Sequence, residues 1–100
     1  FTFNKVKHFA DRRKIVYFQS SGRNVRIATT HGNLLCYDKL SKIIKELPPN
    51  LFVQLHKSYI VNISFIVEYS ANEVVMSDGV HIPISYSRKE DVHNFLRLNY

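Results

Sequence analysis

The stretch Phe52–Asn62 restricts the fold of this chain more than any other part of the sequence. A strand-like, largely apolar segment leads into three polar residues, His56-Lys57-Ser58, and the apolar Tyr59-Ile60-Val61 follows at once. Because both apolar flanks are suited to burial, the polar triplet is held between two anchors. All three polar side chains can contact an anion or the edge of a base. The stretch therefore predicts a rigid scaffold that presents a recognition element.

A single domain is predicted for residues 1–100. The chain has 100 residues, of which 45% are hydrophobic and 13% are aromatic, and this is enough to fill one core. No apolar run is long enough to span a membrane, and Phe1 does not begin a signal-peptide pattern. Because the sequence lacks an initiator methionine, we expect it to be a fragment of a longer protein.

Most of the chain is predicted to form short strands. The alternation of Val25 and Ile27 places both on one face of a strand, and Asp78-Gly79 is the clearest hairpin turn. Pro83 limits its strand to a sheet edge or a strand end. The predicted strands are Ile15–Phe18, Asn24–Thr29, Leu34–Tyr37, Phe65–Val67, Val74–Met76 and a final strand through Val80, Ile82 and Ile84.

Two helices complete the predicted fold, which is mainly β with antiparallel strands. The first has apolar residues at helical spacing from Leu40 to Leu47, with Asp38 as its N-cap. The second begins with a capping box formed by Ser87 and Glu90. Pro48-Pro49 ends the first helix, and we expect the second to bury Val92, Phe95 and Leu96. The lysines of the first helix, Lys39, Lys42 and Lys45, are expected on its solvated side.

The charge balance favours a polyanionic partner. Fourteen Lys and Arg residues oppose eight Asp and Glu residues, which gives a formal charge of +6 and a pI near 9.6. Nucleic acid is the first candidate, and an anionic membrane surface is the second. Cys36 is the only cysteine. It fits a small buried residue in a reducing compartment, so we expect a cytoplasmic location.

The residue inventory gives no support to an enzyme. The five histidines are not at metal-ligand spacing with each other or with acidic residues. Three scattered glycines cannot build a phosphate-binding loop. Glu90-Asp91 is the only adjacent carboxylate pair, and a helix start explains it. No catalytic residue, cofactor or metal site is therefore predicted.

Three predicted loops carry polar residues that strand or helix periodicity does not require. They contain Arg23-Asn24, His56-Lys57-Ser58 and Tyr86-Ser87-Arg88. Arg suits guanine and Asn suits adenine, while the other side chains suit phosphates or single base edges. The residues of each loop could also have a purely structural role.

Five of these residues have structural alternatives. Arg23 and Asn24 could simply be hairpin residues, because asparagine tolerates left-handed geometry. His56 could bond a backbone carbonyl, Lys57 could be a solvated charge, and Ser58 could cap the turn before the next strand. The sequence by itself leaves both interpretations of these loops open.

The sequence resembles a LytTR domain, the DNA-binding output module of many bacterial response regulators. The resemblance covers most of the chain and rests mainly on the spacing between Phe52 and Asn62. It includes the Ile15–Phe18 strand, the Leu40–Leu47 helix and the hairpin that ends in Ile82-Pro83-Ile84-Ser85. One departure is Gln54, which stands where the family usually has Arg. We interpret Asn62 as a structural residue that holds the turn after the recognition loop.

The resemblance implies an antiparallel β fold that recognises double-stranded DNA in transcriptional regulation. In the family, loops rather than a recognition helix enter successive major grooves. The corresponding contacts would be Arg23, Asn24, His56, Lys57, Ser58, Tyr86, Ser87 and Arg88. The resemblance also implies a receiver domain elsewhere in the full chain, direct-repeat DNA sites and a homodimer on DNA.

Two other classes of function remain as alternatives. A single-stranded RNA binder would need aromatic side chains exposed on a sheet face for stacking, whereas periodicity assigns most of these aromatics to the core. A protein-interaction module could pair its edge strand near Pro83 with a partner strand. The RNA-binding alternative predicts a preference for single strands over duplex. The protein-interaction alternative predicts binding that is insensitive to salt.

Overall fold

Two larger antiparallel sheets, a two-stranded pair and two helices form the structure. It is a computed structural model that describes residues 12–100 and the backbone of residues 2–3 and 6–7. Strands β1 (Thr2–Phe3) and β2 (Val6–Lys7) pair with each other. The larger sheet has the order β5-β4-β3-β7-β6. Its strands are β3 (Ile15–Ser21), β4 (Asn24–Thr29), β5 (Gly32–Cys36), β6 (Phe52–His56) and β7 (Tyr59–Asn62).

The smaller sheet has three strands in the order β10-β9-β8. They are β8 (Ile66–Tyr69), β9 (Glu73–Met76) and β10 (His81–Pro83). Helix α1 (Leu40–Ile43) continues into a 3-10 turn at Ile44–Glu46, and helix α2 (Lys89–Asn99) follows a 3-10 turn at Tyr86–Arg88. Further 3-10 turns lie at Arg12–Lys14 and Ile63–Phe65. The predicted mainly β fold with two short helices is confirmed.

Strand β3 lies at the centre of the larger sheet and is covered on both faces. Ile15 and Phe18 pack into the cluster that contains the apolar side of α1, while Val16 and Tyr17 pack into the cluster shared with the smaller sheet and α2. A register shift between Ile15 and Tyr17 marks a β-bulge, which breaks the simple alternation of faces. The continuous apolar run is explained because all four side chains are buried.

The predicted hairpin at Asp78-Gly79 is confirmed. Gly79 has a φ of 86°, a value that favours glycine. The carboxylate of Asp78 accepts a hydrogen bond from the backbone N–H of Val80 at 3.1 Å. Pro83 ends β10, which is an edge strand of the smaller sheet, as its missing N–H requires.

Both predicted helix caps are wrong. Lys39, rather than Asp38, has the extended backbone of an N-cap. The Asp38 carboxylate accepts a hydrogen bond from the adjacent N–H of Lys39 at 2.8 Å, which is not the N–H that an N-cap engages. Ser87 lies inside the 3-10 turn, whereas the extended residue before that turn is Ser85. A side chain within a helical turn cannot act as an N-cap, so no capping box forms.

Several predicted element ends also shift. The first helix is a four-residue α-helix followed by a 3-10 turn. Tyr37 lies outside β5 and is 59% exposed. Phe65 belongs to a 3-10 turn instead of a strand, because the Asn62 side chain accepts a hydrogen bond from Ser64 N–H and starts that turn. Among the described residues, no helix is long and apolar enough to cross a membrane.

Candidate nucleic-acid interface

Strand pairing brings the first two polar loops together. Strands β3 and β7 are antiparallel neighbours, with Gln19 opposite Tyr59, so the turn after β3 and the turn before β7 lie at the same end of the sheet. The backbone N–H of Ser20 donates to the carbonyl oxygen of Ser58 at 2.8 Å. This bond continues the ladder past the last paired residues and fixes the two turns side by side.

The third polar loop is attached to the same end through β6. The backbone N–H of Ser85 donates to the carbonyl oxygen of Leu55 at 2.9 Å, and Leu55 is fully buried. The residue after Leu55 is His56, which begins the second polar loop. Since Leu55 is anchored in the core, the start of the third loop has a fixed position beside the second.

Side chains from the three loops line one open cleft of about 780 Å³. Arg23 comes from the first loop, Lys57 from the second and Arg88 from the third. Arg23 and Lys57 are exposed, and Arg88 is half-buried. The described residues that complete the wall are Ser20, Gly22, Tyr37, Asp38, Lys39, Leu40, Ser41 and Gln54.

The cleft is cationic. Its described lining contains Arg23, Lys39, Lys57 and Arg88 against a single carboxylate, that of Asp38. One oxygen of this carboxylate accepts from the backbone N–H of Lys39, and the other lies 3.8 Å from Lys42 Nζ. Because local partners already engage Asp38, an excess of positive charge faces the cleft, which suits a polyanion.

One wall of this cleft was not predicted from the sequence. Tyr37, Lys39 and Gln54 lie there together with the three predicted cations. The exposed lysines of the α1 segment were expected on a solvated face, and Lys42 and Lys45 are exposed. Lys39 differs because it precedes α1, in the loop after β5. A signal that could have found this wall is the polar run from Tyr37 to Lys39 at a strand-to-helix junction.

Asn24 occupies a different environment from Arg23. It is the first residue of β4, and its side-chain oxygen is buried without a hydrogen-bond partner among the described residues. It does not line the cleft. Bidentate recognition of adenine needs both the oxygen and the nitrogen of the amide, so this rotamer cannot provide it. The turn itself uses Gly22, whose φ is 62°.

His56 is fixed at the base of the second loop. Its Nδ1 accepts a hydrogen bond from the backbone N–H of Ser58 at 3.1 Å, whereas the sequence suggested a bond to a backbone carbonyl. Its ring packs edge-on against Tyr59, with 6.0 Å between centroids. Since Nδ1 is an acceptor, the neutral ring carries its proton on Nε2, which leaves that N–H for a contact.

A chain of polar contacts supports Tyr59 from the sheet face. Gln19 Nε2 donates to the Tyr59 hydroxyl at 3.0 Å, and Arg26 Nη2 donates to Gln19 Oε1 at 2.7 Å and to the Tyr17 hydroxyl at 3.1 Å. Burial raises the pKa of Tyr17, and the nearby Arg26 partly opposes that increase. Each group is bonded, so the ring against which His56 packs is held in place.

The rest of the third loop is open to solvent. Tyr86 is 88% exposed, and Ser87 is also exposed. Both belong to the 3-10 turn that leads into α2. They are accessible to a partner and lie beside Arg88, but they do not line the cleft.

The sequence and the structure both match a known DNA-binding module. Residues 6–97 match the family model of the LytTr DNA-binding domain. A solved LytTr DNA-binding domain from Bacillus cereus has the same fold, with a TM-score of 0.80 and 20% identity, over 87% of this chain and 84% of that chain.

Proteins of similar sequence include three from bacteria. The sensory transduction protein LytT of Bacillus subtilis (strain 168) is 28% identical over 93 residues, which cover 88% of this chain and 39% of LytT. The transcriptional regulatory protein NatR of the same strain is 33% identical over 64 residues, covering 64% of this chain and 28% of NatR. The CO-responsive transcriptional regulator RcoM of Rhodospirillum rubrum is 28% identical over 79 residues, covering 75% of this chain and 34% of RcoM. The chain therefore spans roughly a third of the length of these relatives.

Proposed function

Because the chain belongs to the LytTR family of DNA-binding domains, which act in transcription regulation, we propose that it binds double-stranded DNA in a sequence-specific manner through its three polar loops. The loops would enter successive major grooves on one side of the duplex. The observation that carries this proposal is that Arg23, Lys57 and Arg88 line one cleft although they come from three separate loops.

The side chains divide into base contacts and phosphate contacts. Arg23 and Arg88 present planar guanidinium groups that can bond guanine bidentately. Lys57 is a compact charge suited to a phosphate. The free N–H of His56, the Ser58 hydroxyl and the exposed Tyr86 and Ser87 add single contacts. Asn24 would contribute through its amide nitrogen only, since its oxygen is buried.

The fixed positions of the loops support specific rather than purely electrostatic binding. Backbone hydrogen bonds tie Ser20 to Ser58 and Ser85 to Leu55. Loops that are already ordered lose little conformational entropy when they bind. Their spacing is therefore set before DNA arrives, and a duplex with a matching arrangement of bases would be preferred.

The full-length protein is proposed to be a response regulator. The similar proteins include a sensory transduction protein and transcriptional regulators, and this chain matches only part of each. The same proposal includes a receiver domain elsewhere in the full chain. It also includes a homodimer that binds direct-repeat sites on DNA. Binding to bacterial DNA would place the protein in the cytoplasm.

Selection of bound duplexes from a random library tests the proposal. We expect enrichment of one motif, and the selected duplex should outcompete its own single strands and an unrelated duplex. A preference for single strands would instead support the alternative of a single-stranded nucleic-acid binder. Affinity that does not change with salt would support a protein-interaction module.

A second measurement tests the role of Lys57 within the cleft. Lys57→Ala should weaken binding to all duplexes alike and reduce the slope of log affinity against log salt by about one unit. Lys45→Ala is the matched control, because Lys45 is exposed and does not line the cleft. Equal slopes for the Lys57 variant and the unmodified protein would contradict this assignment.

A further inference from the structure

The side chain of Lys89 is held in one position by two neutral groups. Its ammonium donates to the side-chain oxygen of Asn72 at 2.7 Å, and it lies 5.4 Å from the centroid of the Tyr86 ring. Lysine side chains on a surface usually sample many rotamers. Here a hydrogen bond and a cation–π contact restrict that freedom.

The positive charge of Lys89 is not neutralised by these partners. An amide oxygen and an aromatic ring carry no net charge. No acidic side chain in the described part of the chain forms an ion pair with Lys89. An ammonium has three N–H donors and no acceptor, so the bond to Asn72 leaves two donors available. The result is an ordered cation with its full charge and unused donors.

The position of this cation extends the proposed DNA surface. Lys89 follows Arg88, which lines the cleft, and it begins α2. Asn72 lies in the turn between β8 and β9, and its backbone oxygen accepts from the N–H of Ile84 at 2.8 Å. That bond fixes the turn close to the start of the third loop. A fourth loop therefore adjoins the third polar loop.

We propose that Lys89 binds a phosphate of the DNA backbone next to the third loop and that Asn72 is its positioning residue. This inference rests on the proposed function. A phosphate contact of this kind carries no sequence information and sets the position of the domain along the duplex. An asparagine suits this task better than an aspartate would, because a carboxylate would hold the ammonium but cancel its charge.

The salt dependence of binding to a mixed-sequence DNA duplex tests this role. Lys89→Gln should reduce the slope of log affinity against log salt by about one unit. With a slope change of about one unit, the loss of affinity should be about fourfold larger at about 50 mM than at about 200 mM salt. Lys89→Arg keeps the charge and should keep the slope. Asn72→Asp should reduce the slope as Lys89→Gln does, because the new carboxylate neutralises the ammonium.

Arg97→Gln is the matched control. Arg97 lies on the same helix, eight positions further along, and it also bonds an asparagine oxygen, that of Asn94 at 2.9 Å. The slope of log affinity against log salt for Arg97→Gln should equal that of the unmodified protein. Denaturant unfolding of every variant separates a binding effect from a folding effect, and the comparison of Lys89→Arg with Lys89→Gln isolates the charge.

The possible failures are distinguishable. If the unmodified protein binds DNA with a steep salt slope, and Lys57→Ala flattens it while Lys89→Gln does not, the phosphate contact of Lys89 is overturned and the proposed function stands. Equal losses for Lys89→Arg and Lys89→Gln would also overturn it. If the unmodified protein has no salt-dependent affinity for DNA, the proposed function fails.

Discussion

Asn62 connects the end of β7 to the start of β3 through its side-chain amide. Nδ2 donates to the carbonyl oxygen of Ile15 at 2.9 Å, although the two residues are 47 positions apart. Oδ1 accepts from the backbone N–H of Ser64, also at 2.9 Å. Asn62 is fully buried, so one side chain joins the centre of the larger sheet to the turn that leads to the smaller one.

Asn62→Ala should reduce the free energy of unfolding by about 2–4 kcal/mol, because it leaves a buried carbonyl and a partly buried N–H without partners. Urea unfolding followed by circular dichroism measures this change. Asn94→Ala is the control, since Asn94 is an exposed residue on α2 and its loss should stay within about 0.5 kcal/mol. Similar losses for the two variants would show that the buried bonds are unimportant.

Arg23 and Asn24 are adjacent but should differ in their contribution to DNA binding. Arg23→Ala should cost about 1–3 kcal/mol of affinity and relax the base preference at one position of the site. Asn24→Ala should cost clearly less, because the amide oxygen of Asn24 is buried and unpaired. Titration of the selected duplex and of single-base variants measures both effects. A larger loss for Asn24 would mean that its side chain rotates outward on binding.

Gly22→Ala should destabilise the protein by about 1 kcal/mol or slightly more. The φ of Gly22 is 62°, and nothing lies within 4 Å of the site that a Cβ would occupy. The cost is therefore conformational rather than steric. Gly22→Asn should be less harmful, because asparagine tolerates left-handed geometry. Thermal unfolding of the two variants compares them, and a lower midpoint for the asparagine variant would contradict this explanation.

Cys36 should make folding less favourable in alkaline solution. The pKa of its thiol is raised from 9.0 to about 11. Complete burial is the larger cause, and the nearby Asp38 carboxylate is the smaller one. The folded state therefore holds this proton more tightly than the unfolded state. The stability linked to the proton is fully present below pH 9.0 and is lost as the pH rises to about 11.

The expected loss from Cys36 is about 2 kcal/mol. Cys36→Ala is the comparison, because other groups titrate in the same pH range in both proteins. The difference in unfolding free energy between unmodified protein and variant should shrink between about pH 8 and about pH 10.5. A constant difference over this range would show that the thiol does not titrate with unfolding.

Local patterns in the sequence determined much of the fold. The apolar run Ile15–Phe18 predicted a buried strand, and Asp78-Gly79 predicted a hairpin turn, because burial and backbone geometry select these residue types directly. The spacing from Phe52 to Asn62 identified the family, and the structural role predicted for Asn62 is confirmed by its two hydrogen bonds. These features depend on neighbours along the chain.

The helix starts and the full outline of the cleft needed the tertiary structure. Ser87 has the right spacing for a cap, but the bond from Ser85 to Leu55 fixes where the chain turns, and that bond joins residues 30 positions apart. The place of Gln54 in the cleft, and the contact between Lys89 and Asn72, follow from the packing of separate loops. Sequence spacing reports which residues suit an element, whereas long-range hydrogen bonds and sheet pairing decide which side chains meet.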